Sequence, residues 1–256
     1  VHAAVLAGLL GAGRTVLDAN IAATPTIGVL VQHYRAAGGI QITASHNPPE
    51  YNGLKLFSSE GRVVPDALGR DVVKRYREGR LEWARVGRVG SHEPCPDSLT
   101  PHLEAVLKTV DVERIRSCRF RVVLDSNHGA GSVLGLPLLE ALGCEVIPRG
   151  EVPNGAFEHP PEPLADNLIS ICDVVRQCQA DVGFCQDPDA DRLAVIDGSG
   201  RYIGEEYTLA LCLNHRLKTR KGPVVTNCAS SRMNQDIAQK YGVPFFRSAV
   251  GEANVV

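Results

Sequence analysis

"RTVLDANIAATPTIGVLVQHYRAAGGIQIT", residues 14–43, decides the fold class. "RTVLDAN" (14–20) reads as a strand and "GIQIT" (39–43) as the next one. Between them, "TPTIGVLVQHYRAAG" (24–38) reads as a helix, with Thr24 as its N-cap and Pro25 in its first turn. Strand, helix and strand in succession make a βαβ pattern, the unit from which α/β folds are built.

Outward from this segment the same alternation continues. "NGLKLF" (52–57) reads as a strand, "SEGR" (59–62) as a turn and Pro65 to Gly79 as a charged amphipathic helix. Residues 86–101, with "GRVGSHEPCPDSLTP", have linker composition and predict a domain boundary. Upstream, "VHAAVLAGLLGAG" (1–13) resembles a signal-peptide core only superficially. It has no basic leader and Arg14 ends the run, so it reads as a core-facing helix; without an initiator Met, the natural chain is expected to start earlier.

A second unit opens with the strand "FRVVLD" (120–125), followed by a glycine-rich turn (126–132), a helix to Gly143 and the strand "CEVIPR" (144–149). After the proline-rich "NGAFEHPPEPL" (154–164) come a helix through Gln179, the strand "DVGFCQ" (181–186), the loop "DPDADR" (187–192) and a hairpin of "LAVID" (193–197) with "RYI" (201–203). A third unit follows: a helix over 205–217, the strand "PVVTN" (223–227), a helix over 231–241 and the strand "PFFRSAV" (244–250). The expected fold class is α/β, in consecutive domains with mixed sheets sandwiched by helices. The expected domains are 1–98, 99–203 and an incomplete 204–256.

With 256 residues, 44% hydrophobic and 22% charged, the chain can bury substantial cores and is not a disordered polymer. A net charge of −2 supplies no electrostatic footprint for nucleic acid or anionic lipid, so neither is an expected partner. Eight cysteines without any C-x-x-C pair speak against a zinc site or disulfide framework, and predict reduced thiols in a cytoplasmic protein.

The strongest chemical signal is "DPDADR". In an extended segment Asp187, Asp189 and Asp191 would share one side, and three clustered anions call for a hard cation such as Mg²⁺ or Ca²⁺. An EF-hand is excluded, because Arg192 and Gly198 stand where it needs Gly and Glu. The bland alternative is a solvated acidic turn. Because Mg²⁺ usually completes its shell with phosphate oxygens, a phosphate carrier is expected too, and Ser45 in "TASHNP" is the candidate. Taken alone, Ser45 is a turn hydroxyl. Adjacent residues on a strand face apart, so Ser45 and His46 would not form a nucleophile–base pair, and no G-x-S-x-G elbow is present.

Together, "TASHNP", "YNGLK" and "DPDADR" closely resemble motifs of the α-D-phosphohexomutase superfamily, which includes phosphoglucomutase/phosphomannomutase and phosphoglucosamine mutase. The resemblance runs through essentially the whole chain. It implies an isomerase that exchanges phosphate between C6 and C1 of a hexose through a phosphoserine and a 1,6-bisphosphate. It further implies Ser45 as the phosphoserine, with one Mg²⁺ held by Asp187, Asp189, Asp191 and a phosphate oxygen on Ser45. Lys55 resembles the general acid/base and Arg192 a phosphoryl-stabilising cation; His46 lies near the phosphoserine in the family. Without the motifs, Lys55 would read as a snorkelling strand lysine, Arg192 as a partner of its own acidic loop and His46 as a structural histidine. His128 and His159 read as architectural. A glucose 1,6-bisphosphate-type activator, a phosphosugar substrate and a monomer or homodimer complete what the resemblance implies.

The departures are Pro188, where many relatives carry Gly, and the length. An arginine-containing segment upstream, the "GEMSGH"-type sugar loop and the "R-x-S-G-T"-type phosphate clamp have no counterpart here, so the chain is expected to be a fragment that does not turn over alone. The choice among glucose, mannose and glucosamine phosphates stays open. A Mg²⁺-dependent phosphatase and a non-catalytic sugar-phosphate-binding paralogue are the rival readings.

Overall fold

The computed structural model describes residues 1–48, 50–79 and 81–255. The Pro48–Pro49 pair in the sequence predicts a stiffened loop after Ser45, and Pro49 lies outside the described residues.

The first unit runs α1 (His2–Gly11), β1 (Val16–Asp18), α2 (Thr24–His33), β2 (Gly38–Ile42), β3 (Leu54–Ser58), α3 (Asp66–Arg77) and β4 (His92–Pro94). The strand–helix–strand order of residues 14–43 holds, but β1 and β2 are not paired with each other. β2 pairs antiparallel with β3, and β1 pairs in parallel with β4. The stretch expected to be a linker therefore contributes a strand: Val16 N–H donates to Ser91 O, and Cys95 N–H to Asp18 O. Composition misled there because three residues make too short a run for periodicity to register.

Two helix expectations need correction. α1 has no fully buried residue; it is small-residue-rich and only half covered, with the Trp83 ring lying against Gly11. Thr24 is not the N-cap of α2. Ala23 holds that position in extended geometry, Pro25 is in the first turn as expected, and the Thr24 hydroxyl reaches instead into the second unit. α2 buries Thr24, Gly28 and Val31 on one side and Thr26 and Leu30 on another, so it is covered from two directions.

The second unit begins earlier than Phe120, with α4 (Thr100–Leu107) and α5 (Val112–Cys118). Both carried start signals that were passed over: Pro101 in the first turn of α4, and Asp111 capping α5 by accepting from Arg114 N–H at 3.1 Å. Then follow β5 (Arg121–Asp125), α6 (Gly131–Ala141), β6 (Glu145–Arg149), a short 3₁₀ turn at Ala165–Asn167, α7 (Ile169–Gln177), β7 (Val182–Gln186) and β8 (Leu193–Asp197). The sheet order is β6-β5-β7-β8, parallel except for antiparallel β8, which makes it mixed. Successive β5 residues alternate between two cores. Val122 and Leu124 join Leu139 of α6, whereas Val123 joins Ile171 and Val175 of α7 with Cys185, Ala194 and Ile196. Each fully buried aliphatic side chain contributes roughly 1.5–3 kcal/mol, so this two-sided core is the stable frame on which the loops at the strand ends are mounted.

The third unit consists of α8 (Glu205–Thr219), β9 (Val224–Asn227), α9 (Met233–Tyr241) and β10 (Phe245–Ser248), with β9 and β10 parallel around Leu217, Val224 and Ala238.

Candidate active site

Ser45 follows β2 in a tight turn at φ 52°, in the left-handed region that a non-glycine residue enters only when its surroundings hold it there. The turn is held by Ser45 N–H donating to Thr43 Oγ1 at 2.8 Å and by Asn47, whose N–H and side-chain amide both donate to Ala44 O. This geometry overturns the expectation that Ser45 and His46 face apart. Off the strand and in a turn, His46 Nδ1 comes to 3.2 Å from Ser45 Oγ.

The aspartates sit on the connection from β7 to β8. The segment is a turn, closed by Ala190 N–H donating to Asp187 O, with Ala190 at φ 54°. The carboxylates therefore converge by turning rather than by strand alternation, and one oxygen from each lies within 4.8 Å of the others. Asp187 and Asp189 are 0% and 2% exposed, while Asp191 opens to solvent. Underneath, Ala130 N–H donates to Pro188 O at 2.7 Å, and a Cβ on Gly129 would lie 2.6 Å from Pro188 Cα, so only glycine fits. Pro188 thus presents the carbonyl that anchors the loop.

The first and second units meet at these two loops. Ser45 Oγ lies 3.4 Å from Asp187 Oδ2. Lys55, on β3, reaches Asp189 Oδ2 at 2.8 Å and Asp191 Oδ2 at 2.5 Å. Burial and repulsion by Asp189 and Asp191 push the Asp187 carboxyl up to about 8. For Asp189, burial raises the pKa, but hydrogen bonds from Lys55 and Thr24 outweigh it and leave the group below the usual carboxylate range. Burial likewise lowers the Lys55 pKa, and its two carboxylate partners more than reverse that.

The donor set fits a hard divalent cation. Three carboxylates converge, one of them is held up in pKa by burial and by its neighbours, and Asp189 Oδ1 is buried without a hydrogen-bond partner. An orphaned buried carboxylate oxygen costs free energy that an oxygen-seeking ion such as Mg²⁺ would recover.

Arg192 does not pair its guanidinium with its own acidic loop. Its backbone N–H donates to Asp187 Oδ1, but its Nη1 lies 3.5 Å from Glu162 Oε1 in the proline-rich loop rather than on its own acidic loop. His128 and His159 both bond to groups of their own unit. His128 Nδ1 lies 2.8 Å from Val152 O, and His159 Nε2 lies 2.9 Å from Asp125 Oδ2 with its Nδ1 2.9 Å from Pro160 O. Burial works against the charged His159 ring, but the hydrogen bond and charge of Asp125 outweigh it and raise its pKa. The sequence reading missed Asp125 and Asn127; Asn127 accepts from Glu158 N–H and donates to His159 O, tying the proline-rich loop to the end of β5. Two buried polar residues directly after an apolar strand were the available signal.

A serine turn of one α/β unit thus faces an acidic turn of the next. Family models for phosphoglucomutase/phosphomannomutase alpha/beta/alpha domains I, II and III match residues 1–82, 100–200 and 205–256. A phosphoglucomutase/phosphomannomutase of Thermococcus kodakarensis is 38% identical over 97% of this chain and 55% of its own length. A second protein of that organism, named "Probable phosphoglucosamine mutase", is 35% identical over 100% of the chain and 56% of its length. The crystal structure of a phosphomannomutase-like protein from Thermus thermophilus superposes with a TM-score of 0.83 at 27% identity, covering 97% of this chain and 58% of that one. The chain belongs to the phosphoglucomutase/phosphomannomutase family, and it spans about half the length of the curated relatives it matches.

Proposed function

We propose that the protein of which this chain is a part is a phosphohexomutase, an isomerase interconverting hexose 6-phosphate and hexose 1-phosphate. The observation that carries the proposal is the meeting of Ser45 with Asp187, and of Lys55 with Asp189 and Asp191, across the contact of two α/β units. In this reading phosphorylated Ser45 gives its phosphoryl group to the free hydroxyl of a hexose monophosphate. The resulting 1,6-bisphosphate turns over in the cleft and returns its other phosphate to Ser45.

Asp187, Asp189 and Asp191 would hold a Mg²⁺ ion, which draws negative charge from the transferring phosphoryl group. The strained Ser45 turn presents the hydroxyl in one orientation, which lowers the entropic part of the barrier. Lys55 would move a proton at the sugar hydroxyl, with Asp189 and Asp191 orienting its ammonium. His46 Nδ1 is placed to steady Ser45 Oγ. Arg192 would reach phosphate by leaving Glu162. The substrates proposed are phosphates of glucosamine, mannose or glucose. A cytoplasmic location agrees with eight free cysteines, and among the described residues no helix is long and apolar enough to cross a membrane.

Intact-protein mass spectrometry before and after incubation with glucose 1,6-bisphosphate and Mg²⁺ tests this reading. A phosphate-sized gain that maps to Ser45 and is lost in Ser45→Ala is expected. Wild-type protein that never carries phosphate there would sink the mutase mechanism, and label lost to water without a sugar acceptor would turn it into a phosphatase.

A further inference from the structure

Helix α2 does more than pack. Its first residue, Thr24, is 3% exposed and makes two bonds to one aspartate of the next unit, across a separation of 165 residues. The Thr24 backbone N–H donates to Asp189 O at 2.8 Å, and the hydroxyl donates to Asp189 Oδ2 at 2.7 Å. Lys55 donates to the same Oδ2, so these two donors crowd one oxygen. The other oxygen, Oδ1, is buried and has no partner. A carboxylate pinned in this way cannot rotate about its terminal torsion without breaking two charge-assisted bonds at once.

We propose that Thr24 is a positioning residue for the divalent-cation site. By holding Asp189 Oδ2, its hydroxyl keeps Oδ1 free for the ion and locks the acidic turn of the second unit to the first unit. Oriented partners behind a ligand generally set how well that ligand binds, because the ion then meets a carboxylate whose rotamer is already chosen. The N-terminal end of α2 adds positive dipole potential at the same carboxylate. The proposal rests on reading Asp187, Asp189 and Asp191 as a Mg²⁺ site, and the test separates the two.

Mg²⁺ is titrated calorimetrically into the wild-type chain, Thr24→Val and Thr24→Ser, with melting temperatures taken in metal-free buffer. Thr24→Val is near-isosteric and keeps the backbone bond to Asp189 O, so the acidic turn stays docked while the hydroxyl is lost. The expected result is Mg²⁺ affinity weakened by about 10–100-fold in Thr24→Val, as for other residues that orient a metal ligand. Thr24→Ser, which retains the hydroxyl, is expected to bind as the wild type does. A purely structural role would lower the metal-free melting temperature and leave the affinity of the folded protein unchanged. Wild-type affinity in Thr24→Val therefore overturns the inference. If that variant does not fold, Thr24→Ala takes its place with the same two outcomes. Failure of the wild-type chain to bind Mg²⁺ overturns the metal reading itself, and the role of Thr24 with it.

Discussion

Ser45 Oγ lies 3.4 Å from Asp187 Oδ2, although 142 residues of chain separate them. A neutral hydroxyl can donate to that carboxylate, but a phosphorylated serine would place added negative charge against three aspartates, which only a cation can reconcile. Under the proposed mechanism the site must accommodate two charge states of one side chain, and its stability should then respond to ions.

Mg²⁺ at a hundredfold excess over its dissociation constant is expected to stabilise the folded chain by about 2.7 kcal/mol, and a chelator should reverse the gain. Asp187→Asn should show a flat melting temperature across the same titration. Calorimetric or fluorescence melts at graded Mg²⁺ concentrations check this.

Lys55→Met removes the cation shared by Asp189 and Asp191 while preserving length and apolar volume. Loss of a positioned acid/base typically costs about 10²–10⁴ in rate. The rate of Ser45 phosphorylation from glucose 1,6-bisphosphate should fall within that range, and a rate near wild type would remove Lys55 from the reaction.

The His159–Asp125 pair makes stability depend on pH. Both ring nitrogens face acceptors, Asp125 Oδ2 and Pro160 O, so the folded state favours the doubly protonated ring and its pKa is raised. The pair's contribution is fully present below the unfolded value of about 6.5 and is lost as pH rises through the higher folded value. Breaking a buried pair costs about 3 kcal/mol, so His159→Gln should show that deficit in urea midpoints at pH 6 and a smaller one at pH 9. An equal gap at both pH values would rule the pair out as the source.

Gly129→Ala should destabilise the fold by about 1–3 kcal/mol, because its Cβ would collide with the Pro188 backbone. Mg²⁺ affinity should fall as the acidic turn is lifted. Gly222→Ala, where nothing lies within 4 Å, is the matched control and should stay within about 0.5 kcal/mol of wild type in chemical melts.

Much of this was legible in one dimension. The strands of the second unit stand almost where apolar runs and turn residues put them, because buried parallel strands produce dense local signals. "TASHNP" and "DPDADR" announced their residues by type. What stayed hidden depended on distant partners. Nothing near Thr24 points to Asp189, and a Thr-Pro pair before a helix looks the same whether the hydroxyl caps that helix or another unit's carboxylate. The contact between Ser45 and His46 did not follow from strand alternation because a single positive φ at Ser45 changes which side chains meet. The α4 and α5 helices were passed over although Pro101 and Asp111 marked them, since both are short and begin right after the linker-like 86–101.

The pairing of β4 with β1 carries a last consequence. Ala84 N–H donates to Gly11 O and Gly90 N–H to Leu10 O before β4 settles beside β1, so residues 84–94 are strapped along the first unit. A strap is not a hinge. Any pivoting between the first two units must be taken up beyond Cys95, and shortening or lengthening the strap would strip an edge from the first unit rather than loosen the joint.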